Sequence, residues 1–135
     1  MPRVNRVFIS YSRVDSGAAH AIAASLKQRN IDVWIDAQLE VGQDFVQEIE
    51  RALFASSAVL LLISPEYLSS EWGNYERALA LKVAQETGKR VLPVLISKVD
   101  TSSLPASLRR LVMLDATEGI EQVAMAVQKA LESKI

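Results

Sequence analysis

The chain has 135 residues, half of them apolar, which is the size of one ordinary domain with a single well-supplied core. A formal net charge of −1, with Lys and Arg scattered along the chain, excludes a nucleic-acid binder held mainly by neutralising phosphates. The absence of cysteine excludes a disulfide framework and a cysteine nucleophile, and one histidine, His20, cannot build a metal site of the usual His/Cys kind.

The N-terminal MPRVNRVFIS moves straight into a strand-like run with no signal-peptide core, and Val7–Tyr11 reads as the first strand. Asp15–Arg29 has helical spacing, with Asn30 suited to stop it. Asp32–Asp36 reads as a second strand and Asp44–Ala55 as a second helix, opened by a capping box of Asp44 with Gln47. Ala58–Ile63, the third strand, is also the longest apolar run and is far too short to span a bilayer. Ser64-Pro65 offers a cap followed by proline at the first helical position, which opens a helix over Pro65–Thr87 that Gly88 ends. Val91–Ile96 is the fourth strand, Ser97–Ser107 a loop, Leu111–Asp115 the fifth strand and Glu118–Lys134 the last helix.

The strands are nearly unbroken in Val, Ile and Leu, as strands covered on both faces are. With no internal repeat, low-complexity tract or linker, the alternation predicts a single α/β domain over 1–135, an open parallel sheet with helices on both faces. Ligands of such sheets bind beyond the carboxyl ends of the strands. Polar residues collect there: Ser10-Tyr11-Ser12-Arg13, then Asp36 to Asp44, then Ser64-Pro65-Glu66. Three strands close on the same pair, Ile9-Ser10, Ile63-Ser64 and Ile96-Ser97, although serine also ends strands simply because it starts turns.

Several chemistries lack their supports. The turn after the first strand, SYSRVDSG, is no G-x-G-x-x-G, and there is no P-loop. Ser-Tyr-Ser-Arg and Ser-Pro-Glu stand where a phosphorelay receiver needs an acidic cluster and an aspartate. His20 lies among alanines in mid-helix, with nothing in the sequence to assemble a triad around it. One stretch stays unexplained. In SSEWGNYERA, the helical face Leu68, Trp72, Tyr75, Glu76, Leu79, Val83 sets a carboxylate in an apolar stripe, with Leu79 and Ala80 where a salt-bridge partner would stand. By itself Glu76 reads as a solvated or tertiary-paired helix residue, Trp72 as a core anchor, Arg13 as a surface arginine and Trp34 as core.

RVFISYSRVD (Arg6–Asp15), VWIDAQLEVGQDFVQEIERAL (Val33–Leu53), VLLLISPEYLSSEWGNYERALA (Val59–Ala80) and RVLPVLI (Arg90–Ile96) resemble, in order and spacing, the Toll/interleukin receptor (TIR) domain family. The likeness runs from roughly Arg6 to Leu131, and its style is similar to bacterial members. It implies a flavodoxin-like five-stranded sheet in the order 2-1-3-4-5. It also implies one of two functions: docking of other TIR domains, or cleavage of NAD at the nicotinamide–ribose bond. In NAD-cleaving members the catalytic group is a glutamate four residues after a tryptophan, which here is Glu76 after Trp72. By the same resemblance Ser10, Tyr11, Arg13 and Trp72 help form the substrate pocket. Ala37–Phe45 is similar to a gating and contact loop, with Glu40 and Phe45 at its acidic and aromatic positions. Many members carry cysteine after the tryptophan; this chain has Gly73, which loosens a helix start by roughly 1 kcal/mol.

Such chemistry needs few groups. Nicotinamide leaves from a pyridinium, so it becomes neutral as the bond breaks and needs no proton. Positive charge is left on the ribose, where one ionised carboxylate stabilises it. Trp72 could offer an aromatic face to the cationic ring and Arg13 a fork of donors to a phosphate. The expectation is a cytoplasmic NAD glycohydrolase that needs no cofactor and gives ADP-ribose or a cyclic isomer. It would assemble with other TIR domains, with a fused or recruited sensor upstream, and would act as a defence effector with no nucleic acid or membrane as direct partner. The alternative is a non-catalytic docking module, for which Leu39, Val41 and Phe45 supply apolar surface.

Overall fold

The structure is a computed structural model that describes residues 6–35, 51–69, 78, 81–82, 85–100, 102, 104, 114–117 and 119–132. Strands β1 (Arg6–Ser10), β2 (Asp32–Trp34), β3 (Ala58–Ile63), β4 (Arg90–Leu95) and β5 (Leu114–Asp115) form a five-stranded sheet in the order β2-β1-β3-β4-β5. Every neighbouring pair is parallel. The expected order is the one found.

Helix α1 (Ser16–Gln28) follows a 3-10 turn over Arg13–Asp15. Residues 51–55 (α2) are helical, as are α3 (Pro65–Ser69), residues 78, 81–82 and 85–87, and α4 (Ile120–Glu132). None of the helices among the described residues is long and apolar enough to cross a membrane.

Alternation along the strands sorts side chains into two cores. Val7, Ile9, Leu60, Leu62 and Val94 face α1 and α4, meeting Ile22, Leu26, Val123 and Val127. Phe8, Val59, Leu61 and Ile63 face the other way, onto Leu53 of α2 and Tyr67 of α3. β3 is buried along its whole length, which explains why it reads as an unbroken apolar run. Trp34 belongs to the second core, half-buried, its ring stacked on Phe8 with centroids 4.6 Å apart.

The stops behave as their residue types require. Asn30 (φ 62°) and Gly88 (φ 70°) take the left-handed conformation. At the end of α1 the Asn30 and Ile31 N–H groups donate back to Lys27 and Leu26 carbonyls at 3.0 and 3.1 Å, a Schellman closure in which Ile31 and Leu26 share the first core.

Element boundaries depart from expectation in small ways. β1 and β4 each begin and end one residue early, because ladder partners draw in Arg6 (opposite Asp32) and Arg90 (opposite Ala58). Arg6 gains an ion pair with Asp32 at 2.8 Å. β2 ends at Trp34, since β1 offers it pairing only through Phe8. α1 begins at Ser16, not Asp15, and Gly119 stands outside α4. The capping box of Asp44 and Gln47, the loop Ala37–Phe45, residues 70–77 and the start of the fifth strand at 111–113 lie outside the described residues.

Candidate functional site at the carboxyl rim of the sheet

β1 and β3 are neighbours in the sheet, so the segments that follow them emerge side by side. β1 ends on Ser10 and Ser64 directly follows β3, and both serines are fully buried. The Ser10 hydroxyl lies 2.8 Å from the Tyr67 hydroxyl of α3. The Ser64 hydroxyl donates to the Asp15 carboxylate at 2.6 Å and accepts from the Tyr67 N–H at 3.1 Å. Ser64 therefore caps α3 while it reaches across to the turn after β1. A bond of that length to an ionised acceptor is among the stronger kinds of hydrogen bond.

Proline at the first position of α3 needs no N–H partner, so the local sequence Ser-Pro-Glu-Tyr builds this start with one hydroxyl. On the first-core side Tyr11 is half-buried, its ring edge-on to His20 of α1 at 6.5 Å between centroids. The His20 Nδ1 lies 2.8 Å from the Ser16 carbonyl, which can only accept, so Nδ1 carries the proton. Arg13 lies in the 3-10 turn.

Farther along the rim, Ser97, two residues beyond β4, buries its hydroxyl without a protein partner. Beside it a shallow hollow of about 340 Å³ is lined by Pro65, Leu68, Ser69, Lys98, Val99 and Asp100. The Ser102 N–H and hydroxyl, at 3.0 and 2.8 Å, hold the Asp100 carboxyl below the ordinary carboxylate range.

Of the residues expected at the site, Ser10, Tyr11 and the backbone of Arg13 fall together on this rim. Ser10 is fully buried, with its hydroxyl engaged by Tyr67. Glu76, Trp72, Glu40 and Phe45 lie outside the described residues. Sequence reasoning missed Asp15, which it took as an ordinary first residue of α1, and Tyr67. The recurrence of Ile-Ser at the close of three apolar runs was the available signal, and two of those serines, Ser10 and Ser64, make the bonds that tie the rim.

The sequence model of the TIR domain matches residues 7–131. The 2′ cyclic ADP-D-ribose synthase AbTIR of Acinetobacter baumannii is 30% identical over 125 residues, covering 87% of this chain and 46% of that protein. The stimulator of interferon genes protein of Magallana gigas is 28% identical over 134 residues, covering 95% of this chain and 32% of that protein. The chain thus spans less than half the length of these relatives. Among solved structures, a metazoan TIR-STING receptor from C. gigas superposes with a TM-score of 0.77 at 26% identity, over 100% of this chain and 42% of that one. The TIR domain of the Toll-related receptor TRR-2 from Hydra magnipapillata shares the fold, with a TM-score of 0.77 at 16% identity over 94% of this chain and 98% of that one. With the strand order above and a family match over nearly its whole length, this chain belongs to the TIR domain family.

Proposed function

We propose that the chain is a TIR domain that cleaves NAD at the nicotinamide–ribose bond, with Glu76 as the catalytic carboxylate. The observation that carries this reading is the spacing of Trp72 and Glu76 within a chain 30% identical to a protein named as a 2′ cyclic ADP-D-ribose synthase. The rim geometry supports it. Segments bearing Tyr11 and Arg13 are tied to the start of α3, and the chain runs on from α3 to Trp72 and Glu76.

Glu76 would stand against the ribose and stabilise the oxocarbenium-like centre as neutral nicotinamide departs. Capture by water gives ADP-ribose; capture by a group of the substrate itself gives a cyclic isomer. The test is to incubate the protein with NAD, follow nicotinamide release with product separation, and repeat with Glu76→Ala. Release by the native chain and none by the variant is the expected result; equal turnover removes Glu76 from the mechanism.

A second reading, a docking module without chemistry, is favoured by the apolar residues Leu39, Val41 and Phe45 and by the fold shared with a receptor TIR domain. The two readings join if assembly completes the pocket. Specific activity then rises with protein concentration, and light scattering shows oligomers over the same range. Strict proportionality between rate and protein, with monomers throughout, separates them.

A further inference from the structure

Asp15 occupies the N-cap position of α1, where an aspartate ordinarily accepts a bond from one of the helix's first free N–H groups. Its side chain makes no such bond. The carboxylate accepts instead from the buried Ser64 hydroxyl at 2.6 Å, a residue 49 positions away. Its own N–H donates to the Ser12 carbonyl at 2.8 Å and closes the 3-10 turn. One residue therefore fixes both the shape of the segment after β1 and its place against α3. That segment carries Tyr11 and Arg13.

We infer that Asp15 is a positioning residue: through Ser64 it holds the turn bearing Tyr11 and Arg13 in fixed register with α3, and so sets the affinity for the nucleotide. This rests on the NAD-cleaving reading. Ser64 is the poorer place to test it, since Ser64→Ala also uncaps α3. At Asp15 no capping bond is lost, and two variants divide the possible causes. Asp15→Ala removes charge and acceptor together. Asp15→Asn removes the charge that favours the start of α1 but keeps an oxygen for Ser64.

The experiment measures kcat and KM for NAD, together with amide hydrogen exchange at Asp15 and Tyr67, in the native chain and both variants. In Asp15→Ala, KM rises about tenfold with kcat changed less than about twofold, because binding geometry and not chemistry is lost. Exchange at Asp15 and Tyr67 quickens while the melting temperature holds within a few degrees. Asp15→Asn restores both readouts. An unchanged KM in Asp15→Ala overturns the inference, as does an Asp15→Asn variant as impaired as Asp15→Ala, which would make the effect one of charge on α1. If the native chain releases no nicotinamide, the NAD reading fails by itself. The tie is then judged by exchange alone: faster exchange in Asp15→Ala supports it, and unaltered exchange overturns it.

Discussion

The Tyr67 hydroxyl in α3 and the Ser10 hydroxyl at the end of β1 meet at 2.8 Å, and neither residue exposes any surface. The bond links the sheet to the short helix through polar atoms inside an otherwise apolar core, flanked by Phe8, Leu61 and Ile63. Removing the Tyr67 hydroxyl is costly there because the Ser10 hydroxyl is left buried with that bond unmade. Tyr67→Phe is expected to lower stability by about 2 kcal/mol, read as a fall in the urea midpoint. Adding Ser10→Ala to that variant removes the stranded group, so the double variant loses less than the two single losses summed. Simple additivity would show the two hydroxyls to be energetically independent.

That pair also marks where sequence reading stops. β3 was legible to the residue, because burial on both faces leaves an unbroken apolar signature between turn residues. The stops at Asn30 and Gly88 were legible because few residue types tolerate positive φ. The first turn of α1 was not: Asp15 has the chemistry of a cap, and nothing local reveals that Ser64 takes its carboxylate. Tyr67 hid for the same reason, since its partner is 57 positions away. Local rules locate elements; the bonds that join them depend on strand order, which follows only when all five strands are assembled.

Lys89 closes the C-terminal end of α2. Its ammonium donates to the Leu53 carbonyl at 2.8 Å, which also accepts from the Ser56 N–H at 3.2 Å, and to the carbonyl of Phe54, both in the last turn of the helix. A cation at this end also complements the helix dipole. Lys89→Met keeps the aliphatic stem and discards the charge and the bonds, so a loss of about 1 kcal/mol is expected in chemical unfolding. No change in the unfolding midpoint would show that water replaces the ammonium without cost.

Glu121 makes part of the stability pH-dependent. In the first turn of α4, it accepts from the buried Ser25 hydroxyl at 2.7 Å and from Arg29 at 3.4 Å. These bonds, Ser25 first, hold its carboxyl below the ordinary 4.5, with burial opposing them weakly. A carboxyl depressed by folding contributes stability above its unfolded pKa and loses it as the pH falls through the folded value. Native protein should therefore be more stable than Glu121→Gln at about pH 6, and the gap should narrow as the pH falls below the ordinary carboxylate range through the depressed folded value. A gap of constant size across urea titrations over that pH range would assign the difference to packing instead.

Arg13 offers the sharpest division between recognition and chemistry. If it holds the phosphates of NAD, its contribution depends on a planar fork of donors that lysine lacks. Arg13→Lys keeps the charge, so long-range attraction survives while paired hydrogen bonding does not. KM for NAD is then expected to rise about fivefold with kcat nearly unchanged, the signature of lost uniform binding. Nicotinamide riboside retains the scissile bond and lacks the phosphates altogether. On that substrate, slow as its turnover would be, Arg13→Lys and native protein should react alike, while Glu76→Ala stays inactive on both. An Arg13→Lys defect that persists with the riboside would move Arg13 from the phosphates to the ribose end of the pocket.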